Sequence, residues 1–203
     1  YISYEYTNHK FVNEISMGSL KKELFINYLI QDYIFLIHFS RAWALLIVKS
    51  ESMNEMRIAA NTVNALINEE IKLHIETCSN EGIDENQLFR AEEQIANLSY
   101  TRFVLEAGYT GTFLDLLVSL SPCIFGYGEI GKRLIKETSK NNKYNNWISI
   151  YSGKEYQDLC IVIGKMLDDA VYNRLGENFK NHVQWSNLEN KFLTATKLEI
   201  NFW

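Results

Sequence analysis

The chain has 203 residues, with 20 Lys and Arg set against 25 Asp and Glu for a formal net charge of -5. Its cations fall singly or in pairs with no long basic run, which weighs against a surface built to neutralise nucleic-acid phosphates, while a hydrophobic share of 47% is enough for a sizeable core. Three widely spaced cysteines, Cys78, Cys123 and Cys160, form neither a disulfide framework nor a CxxC zinc pair, and neither a secretion signal nor an uncharged membrane-spanning stretch is read.

These features point to a cytoplasmic protein with no membrane and no nucleic acid among its partners. One domain over residues 1–203 is expected, either alone or as one domain of a longer bifunctional protein. Glycine and proline are scarce, at 10 and 1 residues, and apolar residues recur at three- and four-residue steps, so the expected fold is an all-α, multi-helix bundle.

In chain order, a first helix is predicted over residues 4–17, ending at Gly18. Ser19 then caps a helix over residues 20–50 that sets Leu24, Tyr28, Asp32, Phe35, Phe39, Trp43 and Leu46 on one broad face. A third helix over residues 53–79 follows, and Asp84 caps a short one. The next covers residues 91–107 with Gly108 as its C-cap. A helix over residues 112–139 contains the single proline. After a polar turn at residues 139–146 come helices near residues 144–150, 155–174 and 178–202.

Two places in this pattern carry chemistry. Asp32 lies inside a strongly apolar helix, where a carboxylate is costly unless paired or used. Pro122 is followed at once by Cys123. Proline suits the first position of a helical segment, so Cys123 is expected in a first turn, where unpaired amides favour a thiolate. Tyr127 lies one turn on, and Gly126, Gly128 and Gly131 imply close approach by another helix or a ligand. By local features alone, a small buried cysteine beside a packing kink is the better description.

The segment Ser121 to Gly131, with its Pro-Cys-x-x-x-Tyr-x-x-Ile-Gly pattern, resembles the signature of the thiaminase II (TenA-like) family. Five other stretches resemble that family in the right order. They are His9-Lys10-Phe11-Val12, Gly18-Ser19-Leu20 through Gln31-Asp32-Tyr33, Tyr100-Thr101-Arg102-Phe103, Trp147-Ile148 through Tyr151, and Glu199-Ile200-Asn201-Phe202-Trp203. The resemblance implies a bundle of the haem-oxygenase type assembled as a homotetramer. It also implies hydrolysis of a substituent from the methylene of a 4-amino-2-methylpyrimidine, either aminomethylpyrimidine or thiamin, in thiamin salvage. No cofactor and no metal are implied.

On the same resemblance, Cys123 is the nucleophile, Glu199 the acid/base that protonates a ring nitrogen, and Asp32 the carboxylate that accepts from the ring amino group. Tyr100, Tyr127 and Tyr151 line the pocket. Phe35 stands where relatives often carry a tyrosine, which removes a hydroxyl and leaves a stacking face. Three alternatives are weaker: a haem protein using His9, a di-iron protein using Glu70, His74 and His182, and a non-catalytic helical partner module. Without a metal, Glu70 and His74 form an ordinary pair one turn apart.

Overall fold

The computed structural model describes residues 2–203, and no strand occurs among them. Eleven α-helices and two short turns of other helical type follow one another. The chain divides into two compact units. A terminal unit takes in residues 1–20, 121–201 and Trp203; a central unit takes in residues 21–120 and Phe202.

The central unit is built on α3 (Lys22–Lys49), the longest helix, against which α4 (Met53–Ala65), α5 (Ile71–Ser79), α6 (Glu85–Phe89) and α7 (Ile95–Thr110) pack. The predicted face of α3 is buried from Tyr28 to Leu46, and only Leu24, at 51% exposure, falls outside it. Lys21, not Ser19, stands at the N-cap, with no side-chain cap bond. The helix over residues 53–79 is continuous, but Leu66–Glu70 winds as a π turn between α4 and α5. Ser52 opens it with a reciprocal capping box to Glu55. Asp84 does the same for α6 with Gln87, as the sequence implies.

The predicted C-cap at Gly108 is replaced by Gly111. Gly108 is mid-helix, and a Cβ there would lie 2.8 Å from Leu45 Cδ1, so the glycine serves packing rather than termination. Gln31 ties this unit together. Its side chain donates to the Glu92 carbonyl at 2.9 Å and accepts from the Gln94 amide at 2.9 Å. Its backbone carbonyl accepts from Asn97 Nδ2 at 2.8 Å.

In the terminal unit the predicted first helix is two, α1 (Ile2–Thr7) and α2 (Lys10–Met17). The break falls where His9 turns its ring into an N-cap and accepts from the Phe11 amide at 3.3 Å. Gly18 ends α2 in the left-handed conformation at φ 68°, as expected of a C-cap glycine. Asn142 donates to the carbonyls of Ile15 and Ser16, both at 2.8 Å, and so holds the polar turn onto that helix end. The unit is completed by the later part of α8 (Phe113–Glu137), α9 (Asn145–Ser152), α10 (Lys154–Leu175), a 3-10 turn at Phe179–Asn181, and α11 (Trp185–Phe202). By length and hydropathy α8 could cross a membrane, but most of it is buried in the fold, as a core helix is.

Pro122 does not restart a helix. The chain runs unbroken from Phe113 to Glu137 with the proline inside, so Cys123 is mid-helix and not in a first turn. A mid-helix proline forfeits one backbone bond and costs about 3 kcal/mol. The cost is tolerated because the residues around it, Ser119, Leu120, Ser121, Cys123 and Ile124, are all buried.

Candidate active site

In the terminal unit, the site is organised by rings. Tyr127, one turn beyond Cys123 on α8, meets Tyr151 at 4.7 Å, Trp203 at 5.4 Å and Trp147 at 6.0 Å between ring centroids. Trp203 stacks in turn on Phe11 at 5.2 Å and on Tyr6 at 5.9 Å. The Tyr127–Trp203 contact joins α8 to the end of α11. Cys123 lies four residues before the first of these rings and Glu199 four before the second, so each side chain sits one helical turn upstream of the contact. Cys123 is 8% exposed and Glu199 2%. A buried carboxylate at that position is not the helix-surface charge that local sequence alone would make it.

The three glycines that follow Cys123 serve the approach of other helices. A Cβ on Gly126 would fall 1.8 Å from Tyr6 Cε1, and one on Gly128 would fall 2.6 Å from Cys160 Sγ. One on Gly131 would meet the Tyr151 carbonyl carbon at 2.4 Å. From α10, Gln157 donates to the carbonyls of Gly128 at 3.0 Å and Tyr151 at 2.6 Å, which fixes α8 and α9 together.

None of the cysteines is in a disulfide. Burial pushes the Cys78 thiol up to about 11, with help from the Glu81 charge. Burial also pushes Cys160 up to about 11, against a small opposing pull from Lys132. Both are therefore poor nucleophiles near neutrality.

In the central unit, Asp32 is 3% exposed and lies one turn from Phe35 and Tyr28 on α3. Phe35 contacts Tyr100 at 4.9 Å, Phe39 at 5.0 Å and Phe202 at 5.5 Å. Tyr28 meets Phe202 edge-on at 6.2 Å. Asp32 Oδ2 accepts from the Tyr28 hydroxyl at 3.3 Å and lies 2.7 Å from His74 Nε2. The His74 partner is absent from the expected set of site residues. Its Nδ1 lies 2.8 Å from the Glu70 carbonyl oxygen. The Glu70–His74 spacing was therefore visible, but the bond runs to the backbone of Glu70.

The signal that could have found His74 is the cost of Asp32 itself, which demands a donor from the helix packed against it. Asp32 lies 19 residues before Glu51 and Glu70 lies 19 after it, so a hairpin turning at residues 50–52 sets them level. Helical side chains lean toward the N-terminus, and His74 thereby reaches back to that level.

The all-α chain has a haem-oxygenase-like fold. A protein of that fold from Shewanella denitrificans OS217 matches at TM-score 0.68 and 14% identity, covering 100% of this chain and 87% of that one. The chain belongs to the TENA/THI-4/PQQC family, whose model matches residues 1–203. A crystal structure described as a TenA family transcription regulator from Silicibacter sp. TM1040 has TM-score 0.96 and 52% identity, covering 100% of this chain and 89% of that one. The aminopyrimidine aminohydrolase of Halalkalibacterium halodurans is 33% identical over 198 residues, 97% of this chain and 86% of that one.

Proposed function

We propose that the protein is an aminopyrimidine hydrolase of thiamin salvage, with Cys123 as nucleophile. The observation that carries this is the pairing, within the terminal unit, of two buried reactive groups, Cys123 and Glu199, each one turn from the Tyr127–Trp203 contact. The substrate is a 4-amino-2-methylpyrimidine bearing a leaving group on the adjacent methylene.

The Cys123 sulfur adds to the ring, and the displaced electron pair moves to a ring nitrogen that Glu199 protonates. That pair then expels the substituent with its bonding electrons; an amine also takes up a proton, whereas the thiazolium of thiamin departs as neutral thiazole and the proton of the added water is released. Water adds to the exocyclic methylene, the sulfur leaves, and aromaticity returns. The balance is one water consumed, with hydroxymethylpyrimidine and the free amine or thiazole released. Asp32 accepts from the ring amino group and assists the transfer of the thiol proton. Tyr100, Tyr127, Tyr151 and Phe35 supply stacking faces and hydroxyls to a flat ring.

A cytoplasmic homotetramer completes the proposal. Thiols outside any disulfide support the setting, and exposed apolar residues such as Ile161 and Val162 on α10 support self-association. The regulator description of the Silicibacter relative favours a non-catalytic module instead, and one experiment separates the two. Incubation with thiamin and with aminomethylpyrimidine, side by side, is expected to yield hydroxymethylpyrimidine by mass spectrometry, and Cys123→Ala to yield none. Absence of product from both substrates overturns the hydrolase assignment.

A further inference from the structure

His74 is 3% exposed, and none of the roles above uses it. Both of its ring nitrogens face acceptors. The Glu70 carbonyl oxygen cannot donate, so Nδ1 carries a proton, and a second proton lies between Nε2 and Asp32 Oδ2. A carboxylate that also accepts from Tyr28 is best satisfied when that second proton rests on the ring. Both donors take Oδ2, and among the described residues no hydrogen bond reaches Oδ1.

We propose that His74 is a positioning residue. As an imidazolium held on Oδ2, it fixes the Asp32 side chain so that Oδ1 is offered to the amino group of the substrate ring. This rests on the hydrolase proposal for the identity of that ring and for nothing else.

The backbone is arranged for it. Glu70 is the last residue of the π turn, and a π turn inserts one residue into the helix. Without that insertion everything beyond it would be rotated by about 100°, and His74 would point away from α3. π turns of this kind gather at functional sites.

The charged groups acting on the imidazole are Asp32 from α3 and Glu70 from the π turn. The Tyr28 hydroxyl, also on α3, faces the same Asp32 oxygen. From α6, the other helix against α5, Glu85 acts on Tyr33. Burial opposes the ring's charge, but the Asp32 bond and charge, with Glu70, outweigh burial and hold His74 above the ordinary histidine range.

The test follows the ring and the ligand separately. Nitrogen-15 NMR of the full chain is expected to show His74 doubly protonated beyond pH ~6.5, and the charge lost when Asp32 becomes Asn. Calorimetry with hydroxymethylpyrimidine is expected to show affinity about tenfold weaker for His74→Gln, which retains a neutral donor, and about a hundredfold weaker for His74→Phe. The basic limb of the kcat/KM profile should vanish in both. A neutral wild-type ring at pH 6, or a folded His74→Gln with unchanged affinity and pH profile, overturns the proposal. If hydroxymethylpyrimidine does not bind the wild-type chain, the hydrolase assignment fails while the ring titration still decides the state of His74.

Discussion

The thiol cluster and the Asp32 cluster are built by opposite means. Around Cys123 the arrangement is short-range in sequence: the proposed nucleophile, the ring that follows it and the glycines that admit neighbouring helices fall within residues 122–131. Around Asp32 the decisive partner comes from 42 residues away, held by a turn with no sequence mark of its own. The first kind of cluster depends on close packing and the second on charge. The two should therefore fail differently.

The largest expected effect is at the thiol. Cys123→Ala should lower kcat by at least about a thousandfold, because covalent addition has no substitute, while pyrimidine affinity by calorimetry is retained. Iodoacetamide at pH 8 should inactivate through Cys123. Cys78 and Cys160, both held near 11, should react slowly, as peptide mapping would show. Retained turnover in the alanine variant would remove the nucleophile and leave a binding pocket.

Packing comes next. Gly131→Ala drives a methyl into the backbone of Tyr151 and Ser152, which cannot yield as a side chain can. Overpacking of this kind costs about 1–3 kcal/mol, or a few degrees to about ten in Tm for a chain of this size. Gly128→Ala clashes only with the Cys160 sulfur, a side-chain atom, and should cost less. If the two prove equal by calorimetric melting, the close approach of α8 to α9 is not what the glycine serves.

At the second cluster, Asp32→Asn keeps the shape and removes the charge. Affinity for hydroxymethylpyrimidine should fall about tenfold, equivalent to ~1.4 kcal/mol. An unchanged dissociation constant would separate Asp32 from the ring contact and leave it a partner for His74 and Tyr28.

The contrast also explains what could be read beforehand. Helix existence was legible, as were Gly18 and Asp84, because caps and apolar periodicity are local. The burial of the α3 face was legible for the same reason. Pro122 misled, since a proline's cost is local but its tolerance is set by the buried residues packed around it. The two-helix start was hidden because His9 caps with a ring nitrogen rather than a hydroxyl or carboxylate. The π turn was hidden because Ile67, Ile71, Leu73 and Ile75 lie off the buried face and blur the one-residue phase shift. His74 was hidden because a hydrogen bond between α3 and α5 leaves no spacing to count.

The smallest expected effect tests the charge pair without any ligand. His74 has a folded pKa raised above its unfolded value near 6.5. The stability it contributes is therefore fully present below pH ~6.5 and is lost as pH rises through the folded pKa, with a slope of at most about 1.4 kcal/mol per pH unit. His9 and His38 are shifted the other way, both by burial, so their linkage lies at and below the same value and falls silent above it. The thiols of Cys78 and Cys160 begin to matter only as unfolded cysteine ionises, near pH ~8.5. Between roughly 6.5 and 8.5 the decline in urea midpoint thus belongs to His74 among these shifted groups, and His74→Gln should flatten it. A slope that survives the substitution would mean that the proton resides elsewhere in the fold, and that Asp32 is held by Tyr28 and its own helix without a cationic partner.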